Sequence, residues 1–273
     1  MLRWLPDRSV YSTRSGIVTY DIAIFAALGW ERRAVAGALA DVAPLGRGTW
    51  KARLGDGGSC VLIETGIGAE RAGRAAASAP AAGCFMTAGC AGALAPWLKA
   101  GDLVAAERVV PFDADGRPGS ALPAEADRLA AWAADHGARL HVAPLAVSKE
   151  IVWSPAAKAA AAALGTIAVD MESAAVAAVA ASRGVPFIGL RVVLDEAAQD
   201  LGFTTEFVDP ATGEPHLGRA VATLAPRPWL WRRTMRLARQ RRIAERRLAA
   251  FLGSALGPHQ PPLGRPAHAA ALS

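Results

Sequence analysis

Residues 167–197, IAVDMESAAVAAVAASRGVPFIGLRVVLDEA, decide the fold. A short apolar run, Ile167 to Val169, leads into Asp170, a residue type suited to a helix N-cap, with Glu172 expected in the first turn. Alanine-rich helix follows until Gly184, a C-cap candidate, and Pro186 forbids continuation. Phe187 to Val193 has the pattern of a buried strand broken by Arg191, and the strand is expected to end at Asp195. Two carboxylates, Glu172 and Asp195, are thereby set where helix and strand meet. In open α/β sheets, ligands bind at the carboxyl ends of strands.

Working outward, Asp21 to Ala27 reads as a first strand, with a turn into helix at Leu28-Gly29-Trp30-Glu31. Thr49 to Leu54 and Ser59 to Glu64 flank Asp56-Gly57-Gly58 and predict a hairpin. Cys60 to Thr65 runs into Gly66-Ile67-Gly68, with helix from about Ala69. Cys84 to Ala88 is a buried strand that is expected to stop at Gly89-Cys90-Ala91-Gly92. Further strands fall at 103–110 and 140–147, and helices at 124–136 and 156–164. Strands alternating with helices, and glycine turns after strands, predict an α/β fold: a mixed, twisted central sheet flanked by helices. The expected organisation is an extension over 1–20, a catalytic domain over 21–225, a basic helix over 226–256 and a disordered tail over 257–273.

The chain has 273 residues, 52% of them apolar, enough for one large domain. Three cysteines, Cys60, Cys84 and Cys90, are too few and odd in number for a disulfide framework and fit a reducing compartment. No Cys/His spacing predicts a metal site, and no cofactor is expected. The formal charge of +6 is local: residues 227–247 hold nine arginines and one acid, leaving 21 basic and 23 acidic residues elsewhere, a net −2. The opening MLRWLPDRSV has charge and proline where a signal peptide needs an apolar core, which predicts a cytoplasmic protein. Ser78 to Leu98 is uncharged over 21 residues, but its glycines and prolines favour strand plus loop over a membrane span.

The motifs admit bland readings. Gly66-Ile67-Gly68 between strand and helix fits a tight turn or a ligand-facing loop. A dinucleotide site is disfavoured, since Gly73 comes two residues late and no acid lies between Glu70 and Asp102. Asp195 pairs with Arg191 or serves a ligand; Glu172 and Glu31 complement helix dipoles or serve the same ligand.

Four segments in order, AALGWERRAV (26–35), ETGIGAERAG (64–73), TAGCAGALAPWLKAGDLV (87–104) and VDMESAAVA…GVPFIGLRVVLDEA (169–197), resemble the nucleoside phosphorylase/nucleosidase superfamily, particularly the methylthioadenosine/S-adenosylhomocysteine nucleosidases. The resemblance implies that Asp195 is the general acid protonating purine N7, and that Glu31 orients the attacking water. It implies that Glu172 accepts bonds from the ribose hydroxyls, that Met171 packs on the sugar, and that a purine wall lies near Ile151, Val152 and Trp153. Gly66, Cys90, Ala91 and Gly92 belong to the expected substrate pocket, and a homodimer is implied. Acids around the sugar suit an oxocarbenium-like transition state. Thr87 and Cys90 stand where the family's phosphorylases carry arginine and serine, which favours water over phosphate as acceptor, although Arg32, Arg33 and Arg71 keep phosphorolysis open. With no histidine in the matched segments, Cys90 is not expected to be a nucleophile.

The segment RPWLWRRTMRLARQRRIAERRLAAFL (227–252) reads as a basic helix with Leu230, Leu237, Ala244, Leu248 and Phe251 near one stripe. Packing on the body, an anionic membrane surface and nucleic acid compete, nucleic acid being the least favoured. Together with VDPATGEPHLGRAVATLAPRP before it, the helix resembles the hopanoid-associated branch, which implies adenine release from adenosylhopane by a protein at the cytoplasmic face of the inner membrane. The alternatives are a soluble nucleosidase for methylthioadenosine, S-adenosylhomocysteine or futalosine, and a non-catalytic lipid- or nucleotide-binding module.

Overall fold

A computed structural model describes residues 20–113, 115–202, 204 and 226–257. The expected N-terminal extension up to residue 19 and the expected tail beyond Gly257 fall outside the described residues.

Ten strands form one mixed sheet. They are β1 (Ile22–Ala26), β2 (Ala40–Gly46), β3 (Thr49–Arg53), β4 (Ser59–Glu64), β5 (Phe85–Ala93), β6 (Leu103–Phe112), β7 (Leu122–Pro123), β8 (His141–Ser148), β9 (Ala168–Asp170) and β10 (Phe187–Asp195). The described helices are α1 (Gly29–Ala36), α2 (Ala69–Ser78), α3 (Asp127–Asp135), α4 (Pro155–Ala162), α5 (Ser173–Ser182) and α6 (Pro228–Leu256). β1 pairs in parallel with β4 and β5, and β5 in parallel with β10. The circuit closes on itself: β10 pairs with β6, β6 with β8, β8 with β9, and β9 returns to the far end of β5 at Gly92 and Ala93. Half of the sheet is thus a small barrel, and β1, β4, β3 and β2 fan out from its seam.

Alternation along β1 builds two cores. Ile22 and Ile24 face one side with Trp30 and Val35 of α1, Leu129 and Trp132 of α3, and Ala244, Leu248, Phe251 and Leu252 of α6. Ala23 and Phe25 face the other with Ala72 and Ala76 of α2 and Val176, Ala177 and Ala180 of α5. The alanine-rich helices fit because short side chains let them lie close on the sheet at no cost in helix propensity. α5 ends as a Schellman motif: Val185 N–H donates to Ala180 C=O, Gly184 N–H to Ala181 C=O, and Gly184 has φ 65°.

Three expectations change. β5 runs through Gly89-Cys90-Ala91-Gly92 rather than stopping there, because this stretch pairs with β10 and its two glycines admit the side chains of Glu31, Arg191 and Asp195. α5 begins after Glu172, and Asp170 lies in β9, where its carboxylate accepts from the Ser173 hydroxyl at 2.5 Å. β2 was not expected from ADVAPLG; it is an exposed edge strand, the position in which Pro44 is tolerated. Ser78 to Leu98 contributes the end of α2, β5 and turns, and no described helix is long and apolar enough to cross a membrane.

Candidate active site

β1, β5, β9 and β10 end together beneath a cavity of about 440 Å³. Its floor is built by Glu31, Cys90, Ala91, Gly92, Asp170, Met171, Glu172 and Asp195. One side wall is Ile151, Val152 and Trp153, the loop entering α4, and the roof is Thr234, Leu237, Ala238 and Arg241 of α6. All the expected site residues line this cavity except Gly66, whose neighbours act instead: Ile67 lines it, and Gly68 N–H donates to Glu172 Oε1 at 2.8 Å.

Glu31 is the third residue of α1, and its Oε2 accepts from Ala27 N–H and Leu28 N–H, both at 2.9 Å. Its Oε1 reaches across to Cys90 N–H on β5 at 2.7 Å. One carboxylate therefore closes its own helix turn and bridges to the floor. Burial pushes its pKa up, opposed by the Arg191 guanidinium.

Arg191 is fully buried beneath the floor. Its guanidinium pairs with Asp170 and donates to Ser173 Oγ at 2.9 Å, and Ser173 Oγ also meets Thr87 Oγ1 at 3.1 Å. The register of β10 on β5 sets Arg191 opposite Gly89. A Cβ on Gly89 would lie 2.7 Å from both Arg191 Nη1 and Glu31 Oε1, so a bare backbone is what lets the two side chains converge there. Glu172 is pushed up to about 7 by burial and by the neighbouring Asp170, against the pull of Arg191.

Asp195 does not pair with Arg191. Its partner is Lys158 of α4, an ammonium with 1% exposure that also donates to Glu196 C=O at 2.9 Å and Gln199 C=O at 3.1 Å. Burial raises the Asp195 pKa, and Lys158 draws it back. Cys90 is held as the neutral thiol by burial and by the facing Glu31, in keeping with a lining rather than nucleophilic role.

Sequence reasoning missed Lys158, the Asp170–Arg191 pair, Glu150 and the roof. The one available signal for Lys158 was that it is the sole charge in the helix PAAKAAAA.

With this geometry in view, the comparisons with known proteins are informative. A family model described as Phosphorylase superfamily matches residues 21–223. The chain belongs to the phosphorylase superfamily. Among solved structures, this superfamily member is similar to a Neisseria meningitidis 5'-methylthioadenosine/S-adenosylhomocysteine nucleosidase, at TM-score 0.63 and 20% identity over 87% of this chain and 97% of that one. It is similar to Helicobacter pylori futalosine hydrolase at TM-score 0.64 and 20% identity, covering 88% and 97%. A Streptococcus pyogenes S-adenosylhomocysteine nucleosidase follows at TM-score 0.60 and 22% identity, covering 89% and 99%. No curated protein matches. α6, which roofs the cavity, begins after the segment matched by the family model ends.

Proposed function

We propose that the protein hydrolyses the N-glycosidic bond of an adenine nucleoside. The observation that carries this reading is the charge of the cavity: five acids, Glu31, Glu150, Asp170, Glu172 and Asp195, line it against one arginine, Arg241. Arg32, Arg33 and Arg71 do not line it, and Arg32 is engaged by Glu64 at 2.8 Å. An acid-lined site repels phosphate and suits a ribosyl centre that turns positive as its bond to the base breaks.

In this mechanism Asp195 gives its proton to purine N7, and the C1′–N9 electron pair leaves with the base. Water held at Glu31 adds to C1′ and gives its proton to that carboxylate. Glu172 accepts bonds from the ribose hydroxyls, Met171 packs on the sugar, and Val152 and Trp153 flank the base. Burial raises the pKa of both acids. At Glu31 it is opposed by Arg191 and by the N–H groups of Leu28 and Cys90, donors that steady an anionic form and suit the water-orienting role. Asp195 has no such set of N–H donors from other described residues and suits the proton-donating one. The similar solved structures include a 5'-methylthioadenosine/S-adenosylhomocysteine nucleosidase and a futalosine hydrolase, which agrees with cleavage of a nucleoside.

The preferred substrate is adenosylhopane, taken at the cytoplasmic face of the inner membrane, with a homodimer as the working assembly. Support comes from α6. Trp229, Trp231 and Met235 are exposed on its outer face, at 66%, 51% and 71%, and Arg232, Arg236, Arg239, Arg242 and Arg246 line a groove there with Met235 and Ile243. The same turns of α6 give Thr234, Leu237 and Arg241 to the cavity. A basic, aromatic face beside the cavity suits a nucleoside carried by a lipid in an anionic membrane.

The test is adenine release from adenosylhopane in anionic vesicles, with and without phosphate, beside methylthioadenosine, S-adenosylhomocysteine and futalosine. Release independent of phosphate is expected. A phosphate requirement overturns hydrolysis, turnover of only the water-soluble nucleosides overturns the lipid substrate, and no release from any of them returns the protein to a binding module.

A further inference from the structure

The Lys158–Asp195 pair is a buried ion pair at the cavity whose cation the mechanism above does not use. Lys158 Nζ has three acceptors around it, Asp195 Oδ2, Glu196 C=O and Gln199 C=O. Three acceptors call for three N–H donors, which only the ammonium form supplies. Its stem is sealed in α4, where Ser154 caps the helix by accepting from Ala157 N–H, and Pro155 starts it. The charge is thus carried to the acid by a rigid element rather than by a flexible surface side chain.

We propose that Lys158 is the positioning residue for the acid: it holds Asp195 Oδ2 so that Oδ1 carries the proton toward the base, and it stabilises the carboxylate left once that proton has gone. The inference rests on the reading of Asp195 as the proton donor. Before the step the pair is an ammonium and a neutral carboxyl. As the C1′–N9 bond breaks, the Oδ1 proton moves to N7 and the pair becomes ammonium and carboxylate. No net charge is created at the pair without a partner already in contact with it. Burial alone would make Asp195 a weak acid that keeps its proton; the adjacent cation makes it strong enough to give the proton up.

The surrounding groups leave this role to Lys158. From β5, Gly92 approaches, and a Cβ there would lie 3.2 Å from Asp195 Oδ2. Glu196, next along the chain, turns outward to Arg236 of α6 at 2.9 Å and Lys99 at 3.8 Å. Across the cavity stand Glu31 and Glu172, the latter beside Asp170 and both drawn to Arg191; Glu150 lines the wall before α4, and Arg241 lines the roof. Of all these, Lys158 alone hydrogen-bonds the Asp195 side chain from another element.

The experiment compares the parent with Lys158→Met and Lys158→Arg on the adenine nucleoside the parent turns over. It measures kcat from pH 5 to 9.5 and, in parallel, cleavage of nitrophenyl riboside, whose leaving group needs no proton. In Lys158→Met the fall of kcat at high pH should move up by about one to three units, because the cation that lowers the Asp195 pKa is gone. The plateau should drop about 10- to 100-fold on the adenine nucleoside and much less on nitrophenyl riboside. Lys158→Arg should restore the position of that fall. If Lys158→Met does not fold, Lys158→Gln takes its place with the same expectation: a high-pH fall moved up with selective loss on the adenine nucleoside supports the role, and an unmoved fall with equal loss on both substrates overturns it. Asp195→Asn separates the two readings. Full adenine release by that variant removes the acid and this inference together, whereas an inactive Asp195→Asn beside an unmoved profile in Lys158→Met removes the inference alone.

Discussion

The floor of the cavity packs Glu31, Asp170, Glu172, Arg191 and Asp195 among the ends of β1, β5, β9 and β10, each carboxylate tied to a backbone N–H, a hydroxyl or a buried cation. The roof is Thr234, Leu237, Ala238 and the single cation Arg241 on one face of α6, held to the body by Arg236 on Glu196 and by apolar packing further along the helix. The floor contains several charges that would cost dearly if left unpaired, so it tolerates little displacement. The roof contains van der Waals surface and tolerates change of shape. Reaction type therefore belongs to the floor and substrate size to the roof.

The sharpest way to break this contrast is at the acid. Asp195→Asn should lower kcat by about a thousandfold or more, because the amide has no proton to give to the leaving base. Activity near that of the parent would dissolve the distinction between floor and roof. Next in size, Gly89→Ala should cost about a hundredfold in kcat, since the new methyl lands where Arg191 and Glu31 converge and displaces the carboxylate proposed to orient water. A variant with unchanged kinetics would mean the floor yields as readily as the roof.

Glu172→Gln separates activity from stability. The folded-state pKa of Glu172 is raised from 4.5 to about 7, so the folded protein holds that proton more tightly than the unfolded chain. Ionisation then destabilises the fold as pH rises from 4.5 to 7, and fully above 7, by at most about 3 kcal/mol. Glutamine abolishes that penalty. The variant should melt higher than the parent at pH 8, with little difference near pH 4, while losing about 10- to 100-fold in kcat/KM; equal melting curves at pH 8 would contradict the burial of an ionised Glu172. In the parent, kcat/KM should fall as pH drops below about 7, where Glu172 takes up its proton.

Roof substitutions should be milder and selective. Leu237→Ala should alter KM about tenfold or less for nucleosides with bulky apolar 5′ groups and leave kcat on methylthioadenosine nearly unchanged. Smallest of all in catalytic terms, Trp229→Ser with Trp231→Ser should leave turnover of dissolved nucleosides intact while reducing flotation with anionic vesicles; undiminished flotation would remove the outer face of α6 from membrane contact. Deleting α6 is not a usable test, because Ala244, Leu248, Phe251 and Leu252 are core.

The same contrast explains what the sequence disclosed. β1, the β3–β4 hairpin, β10 and the Gly184 stop of α5 were legible because each has a local cause: an apolar run, a Asp-Gly-Gly turn, or a glycine at positive φ. Glu31, Glu172 and Asp195 were legible because each stands at a strand-to-helix or strand-end boundary. Lys158 was not, since a lone lysine among alanines has the composition of a solvated helix, and its burial depends on Asp195, 37 residues away. Gly89 to Gly92 looked like a turn because glycine usually marks one; here the glycines serve close approach from Arg191, Glu31 and Asp195. Closure of the barrel and the position of α6 over the cavity depend on long-range packing that no local pattern encodes.

The last turn of α6 has a bearing on biosynthesis. Leu256 C=O accepts from Gly55 N–H at 2.7 Å, in the turn between β3 and β4, so the end of this helix is stitched to an early part of the chain. Every described strand leaves the ribosome before α6 does. A nascent chain halted between residues 195 and 228 would hold the complete set of floor carboxylates yet lack both its roof and a large part of one core. Synthesis of α6 is then the moment at which solubility and a closed cavity arrive together, and premature termination there should yield a chain for proteolysis rather than a weakened enzyme.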